Sequence, residues 1–132
     1  MAGPAGPEMT REPRAPGPLV TGFRDNQFKV GEALYPAGLW LTPDEASGWD
    51  APTLEGLDAA ALAPLLAIRP EPEFLLLGTG RSMRRPPARF VAALEGQGIG
   101  VEAMDSRAAA RAWGVLRGEG RWIVAALMPL GD

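Results

Sequence analysis

The sequence predicts a layered α/β domain with a mostly parallel core, and three observations carry that prediction. From residue 73 onward, strand-like apolar runs alternate with segments of helical periodicity, in the order β-α-β-α-β. Phe74-Leu75-Leu76-Leu77 is unbroken by any polar residue, as expected of a strand covered on both faces. Upstream, two short apolar-alternating runs flank Asp25-Asn26, which marks an antiparallel hairpin at one side of that core. A chain of 132 residues holds one such core, and 46% hydrophobic against 22% charged residues places it among globular chains.

The elements follow in order. Residues 1–18 repeat Pro, Gly and Ala, a composition that buries no core, so a disordered tail is expected there and a single domain over 19–132. Leu19 to Arg24 and Gln27 to Val30 form the hairpin arms. Ala37 to Thr42 reads as a third strand, ended by Pro43. Residues 43–56 read as a loop pinned by Trp49; Trp40, Trp49, Trp113 and Trp122 are core candidates, and of the four Trp49 is the one placed to be an exposed anchor instead. Asp58 is placed to cap a helix, with Leu57 and Leu62 spaced as a hydrophobic staple. Pro64 lies too deep for a regular first turn, so a short or distorted helix ending before Pro70 is expected.

After the Phe74–Leu77 strand, Pro86-Pro87 opens a helix whose apolar face is Phe90, Val91 and Leu94, and Gly96 to Gly98 ends it. Ile99 to Met104 is the next strand. Asp105-Ser106 supplies cap chemistry for a helix over Arg107 to Leu116, with Ala109, Ala112, Trp113 and Leu116 as its apolar stripe. Gly118 to Gly120 breaks that helix, and Arg121 to Met128 is the last strand.

Composition excludes several chemistries. With no cysteine and no histidine, the chain has no disulfide, no thiolate or imidazole metal ligand, and no Ser-His-Asp or Cys-His machinery. A net charge of −3 argues against general nucleic-acid binding. No apolar run reaches the roughly 18 residues of a membrane span, and Met1 to Pro18 lacks the apolar centre of a secretory signal, so a cytoplasmic location is expected.

The candidate site is the turn after the Phe74–Leu77 strand. Gly78, Thr79 and Gly80 are followed by Arg81, Arg84 and Arg85, with Arg89 one turn further. This segment reads two ways. Its backbone amides and arginines suit a phosphate or carboxylate. Equally, glycines simply let a strand turn toward a helix. The third glycine of a dinucleotide fingerprint is absent, since Met83 stands there, and no Gly-Lys-Ser/Thr ending makes a phosphate loop. Asp105 and Ser106 end the next strand and either frame a cleft beside that turn or cap a helix. Arg111 and Arg121 are candidate ion-pair partners for Asp105 or Glu119. Nothing in the spacing fixes a metal site, and no cofactor is implied.

Leu76-Leu77-Gly78-Thr79-Gly80, then Gly98 to Ser106, Ala109-Ala110-Arg111, Leu116, Glu119-Gly120-Arg121 and Ala125 to Pro129 form an ordered set. On that set the chain resembles, over roughly residues 19–130, a small family of uncharacterised proteins whose structural prototype came from a methanogenic archaeon. The family includes a mitochondrial respiratory complex I assembly factor and an adipogenesis-associated protein. The resemblance implies a three-layer α/β fold with a central mixed sheet and no agreed reaction. One departure is visible: where the family shows Thr, an aromatic and Asn after Ala-Ala-Arg, this chain has Ala112, Trp113 and Gly114. The expected function is a non-enzymatic binding or assembly module, with a protein partner at the inner membrane implied by the resemblance. The alternative is a domain that takes a small anion at Gly78 to Arg85. A hydrolase built on Asp105 and arginines is the third reading.

Overall fold

The computed structural model describes residues 17–131. The expected tail lies outside these residues except for its last two, which are held against the domain. The Pro18 carbonyl accepts the Trp113 indole N–H at 2.9 Å. Gly17 has φ +114°, and a Cβ there would stand 1.9 Å from the Pro43 carbonyl oxygen. Only glycine meets both demands.

The hairpin strands are β1 (Gly22–Arg24) and β2 (Gln27–Val30). Asp25 and Asn26 turn between them with φ of +51° and +63°, the paired positive angles of a two-residue turn that matches strand twist. The sequence missed β3 (Ala33–Tyr35), which pairs antiparallel with β2. Leu34 is exposed, so β3 shows no buried face for a pattern to reveal. Together the three form a separate small sheet, not a side extension of the main one as expected.

The third expected strand is β4 (Leu39–Leu41), and it pairs with another missed strand, β5 (Ala46–Gly48). Thr42 closes their connection by accepting the Asp44 and Glu45 amides on its hydroxyl. For Trp49 the core reading holds over the anchor reading. It is buried, not an exposed anchor: its amide donates to the Gly38 carbonyl and its ring lies 6.1 Å from that of Trp40. Trp122, expected in the core, stays half-buried and donates its indole N–H to the Pro70 carbonyl.

The distorted helix after Asp58 is observed as a 3-10 turn over Ala60–Leu62 leading into α1 (Ala63–Leu66). Asp58 accepts the Ala61 amide at 2.8 Å, and Leu57 and Leu62 are both fully buried. The rest of the chain is β6 (Phe74–Gly78), α2 (Ala88–Glu95), β7 (Gly100–Met104), α3 (Ser106–Gly118) and β8 (Val124–Leu127). The main sheet runs β5-β4-β8-β6-β7, with β8, β6 and β7 mutually parallel and β4 and β5 antiparallel additions.

Alternation along the central strands builds the layers. Leu75, Leu77, Val124 and Ala126 point to one face, where they meet Phe90 and Leu94 of α2 and Leu62 and Leu65 of the α1 region. Leu76, Ala125 and Leu127 point to the other, where they meet Ala109 and Trp113 of α3 and Phe28 of the small sheet. This is a single α/β domain with a mixed central sheet between two covering layers.

The last strand is shorter than expected because Arg121 and Trp122 are drawn to Glu73. Arg121 donates through Nη2 at 2.7 Å and Nε at 2.9 Å to Glu73 Oε1, and the Trp122 amide donates to Oε2. The partner of Arg121 is therefore Glu73, with Glu119 a weaker attraction, rather than Asp105 or Glu119 as expected. The Arg121 hydrogen bond holds the Glu73 carboxyl below the usual carboxylate value, helped by the Trp122 amide, and Glu73 in turn raises Arg121.

Two expected outcomes follow from this packing. Trp113→Ala empties the centre of one core and removes the contact to Pro18; chemical denaturation should show a loss of about 3–5 kcal/mol. The second concerns pH. A lowered folded-state pKa makes Glu73 stabilising above the ordinary carboxylate value, and the contribution is lost as pH falls through the depressed value. Glu73→Gln should melt below wild type at neutral pH, and the gap should narrow as pH falls below the ordinary carboxylate value and through the depressed one.

Candidate functional site

The carboxyl ends of β6, β7 and β8 lie side by side, Gly78 opposite both Met104 and Leu127. Open α/β sheets bind ligands at such an edge. Here one seryl hydroxyl fastens the three ends together. Ser106, fully buried at the start of α3, accepts the Gly80 amide on Oγ at 2.9 Å and donates Oγ–H to the Met128 carbonyl at 2.8 Å. Its own amide donates to the Gly80 carbonyl at 2.8 Å. A Cβ on Gly78 would lie 2.6 Å from Ser106 Oγ and 2.9 Å from its Cα, so glycine is what lets α3 approach the strand.

Thr79, also buried, organises the basic loop. Its amide donates to the Met104 carbonyl at 2.9 Å. Its Oγ1 accepts the Arg84 amide at 3.0 Å and lies 2.7 Å from the Ser82 carbonyl and 3.3 Å from that of Met104. One hydroxyl proton serves one acceptor well, and the shorter contact to Ser82 takes it. The amides of Thr79 and Gly80 are thus occupied within the fold. The glycine turn is a clamp for the strand ends, and whatever meets the solvent there is supplied by the loop that it fixes.

Above the clamp opens a cleft of about 460 Å³. It is lined by Thr79 to Ser82 with Arg84, by Pro52 to Glu55, and by Met128, Pro129 and Gly131. Arg84 Nη1 stands 3.4 Å from Glu55 Oε2 across the mouth, with both side chains more than half exposed, and Arg89 donates to the Glu55 carbonyl at 2.8 Å. Met83 protrudes beside them, 55% exposed.

The eight residues picked from the sequence separate into three groups. Thr79, Gly80, Arg81 and Arg84 line the cleft. Gly78 and Ser106 lie beneath it as structure. Arg85 turns to the grooves that flank α2, and Asp105 caps α3 by accepting the Ala108 amide on Oδ1 at 2.9 Å. Among the described residues, no group of Asp and Glu is arranged to hold a metal ion. Sequence reasoning missed the wall from Pro52 to Glu55. It sits more than twenty residues upstream of the turn in a stretch with no motif, and only tertiary packing brings it there.

A mixed-sheet, three-layer α/β domain with its cleft at the carboxyl edge of the parallel strands is the class that this geometry defines. The chain belongs to a family of proteins of unknown function (DUF498/DUF598), which it matches over residues 20–128. An uncharacterized protein of Rhodobacter capsulatus is 33% identical over 121 residues, covering 91% of this chain and 92% of that one. A crystal structure from Bordetella parapertussis shares 32% identity with a TM-score of 0.78, over 89% of this chain and 99% of the other. The solution structure of a Mth938-like domain from Bordetella pertussis shares 29% identity with a TM-score of 0.75, over 94% and 93%.

The clamp yields its own expectation. Ser106→Ala leaves a buried amide and a buried carbonyl without their shared hydroxyl and should lower stability by about 1–3 kcal/mol in denaturant titration. Gly78→Ala should cost at least as much. Pairing it with Ser106→Ala should not restore wild-type stability, because the clash with the Ser106 Cα remains.

Proposed function

We propose that the protein is a non-enzymatic binding or assembly module whose recognition surface is the cleft mouth and its basic loop, and whose ligand is an acidic segment of a protein partner. The observation that carries this reading is the hold of Thr79 on the loop, which presents Arg81 and Arg84 on a fixed frame. A surface already ordered before binding loses little conformational freedom on binding. Glu55 supplies a carboxylate to Arg84 in the free protein. An exposed pair of this kind contributes about 1 kcal/mol or less, so an incoming carboxylate can replace it at small cost. Met83 beside the arginines offers an adaptable apolar contact. The resemblance to a respiratory complex I assembly factor directs the search for that partner to inner-membrane complexes. Among the described residues, no helix is long and apolar enough to cross a membrane.

A second reading, a small anionic metabolite, is favoured by the hydroxyl of Thr53 and the two arginines lining one cleft. It would rest on side chains, since the amides of Thr79 and Gly80 are taken.

The test is an affinity capture from native lysate with wild type beside an Arg81→Glu/Arg84→Glu variant of wild-type melting temperature. The expected result is a specific partner, among inner-membrane complex subunits, retained by wild type and lost by the variant. A partner captured equally by both places recognition elsewhere. A shift in melting temperature with phosphates or dicarboxylates, lost in the variant and with no protein captured, moves the reading to the small anion. Steady turnover of any compound abolished by Asp105→Asn would overturn the non-enzymatic reading.

A further inference from the structure

The sheet ends on β7, which has β6 as its sole strand neighbour among the described residues. The Met104 carbonyl faces β6, since it accepts the Thr79 amide. Backbone groups alternate sides along a strand, so the N–H and C=O of Val101 and Ala103 point away from the sheet. The side chains of the same two residues turn toward α2 and line a groove of about 380 Å³ with Ala88, Val91 and Ala92. An unpaired strand edge and an apolar floor thus coincide. Native proteins block such edges with charged side chains, proline or a covering segment; Gly100 to Met104 carries no proline and a single charge, Glu102.

The charges at the two ends of the groove are opposite. Arg85 stands at the Met104 end, because Arg84 is tied to Thr79 at the strand terminus. Glu95 stands at the Gly100 end, where the Ile99 amide donates to the Leu94 carbonyl. Neither side chain has an ion-pair partner among the described residues. A groove with one sign at each end is complementary to itself once rotated by half a turn.

We propose that this edge is a homodimer interface, in which β7 of a second copy adds antiparallel to β7 and the two α2 helices meet over the seam. A twofold axis puts the same patch on both sides of the contact. It brings Arg85 of each copy to Glu95 of the other and lays Ala88, Val91 and Ala92 against their own images. Glu102 selects the register. Pairing centred on Glu102 would set two carboxylates directly opposite, which is unfavourable. Centring on Ala103 places Glu102 across from Met104 of the second copy; centring on Val101 places it across from Gly100 but sets Ala103 opposite Ile99, whose amide already donates to Leu94, so the Ala103 centre is favoured. The dimer is separate from the acidic-partner reading, because Arg81 and Arg84 stay on the cleft.

The test is sedimentation velocity of the full chain across concentration, with amide exchange read at Val101 and Ala103. Wild type should pass from monomer to dimer, and the two amides should gain protection as it does so. Arg85→Glu and Glu95→Arg, each at an exposed position, should each weaken the dimer by at least about tenfold. The double variant should return to within about threefold of wild type, since the charges face each other again in reversed order. A wild-type chain that stays monomeric to about 1 mM overturns the proposal and leaves the edge to another chain. A dimer that both single variants leave unchanged overturns it too, because its contact lies elsewhere.

Discussion

The hydroxyl of Ser106 is the constraint on which the upper half of this domain depends. It sits where three parallel strands end, touches the backbone beyond two of them, and opens the helix that leads away from the third. A buried hydroxyl between a donor and an acceptor does what a methyl cannot: it ties two backbone groups that no ladder reaches. The glycines around it follow from that choice. Gly78 must lack a side chain for Ser106 to come close, and Gly80, at φ +102°, turns the chain so that both its amide and its carbonyl meet the same serine. The Gly-Thr-Gly sequence is the footprint of helix-to-strand proximity before it is anything else.

This locking explains why the edge of the sheet does not resemble a phosphate cradle. In such cradles the amides point into open space, whereas here those of Thr79 and Gly80 close on Met104 and Ser106. The polar capacity of the edge is moved outward by one step, to the guanidinium groups of the loop. The loop's positive charge is then divided by geometry. Arg81 and Arg84 go to the cleft, and Arg85 goes to the α2 side. Arg84 lines the cleft, whereas Arg85 lines the grooves beside α2, one of which it shares with Leu54 and Glu55.

What was legible in the sequence was whatever rested on neighbours in the chain. Phe74 to Leu77 declared a two-sided strand, Asp105 declared a cap, and Asp25-Asn26 declared a turn, because each depends on spacing over a few residues. Strands β3 and β5 were not legible. Three residues with one exposed face carry no period, and they exist because β2 and β4 offer them an edge. Trp49 stayed between core and exposed anchor for the same reason: a Pro- and Gly-rich stretch looks solvated until β4 brings Trp40 beside it. The partner of Arg121 lies 48 residues away at Glu73, beyond any local rule. Of the site, the basic wall could be read and the Pro52–Glu55 wall could not.

The division between an internally satisfied frame and an outward-facing charged loop bears on how such a domain can bind. The clamp removes the loop's freedom during folding, so the binding step no longer bears that entropy. The pairing of Arg84 with Glu55, between two groups that water already screens, is one that an acidic ligand would have to exchange. A partner carboxylate that brought Arg84 and Glu55 out of water together would meet a penalty at Glu55, the like charge left behind. If the mouth is the recognition surface proposed above, it would favour a ligand that takes Arg84 while leaving Glu55 hydrated. Under the acidic-partner proposal, a flat or extended segment lying across the opening satisfies that condition better than a group that draws Glu55 out of water with it.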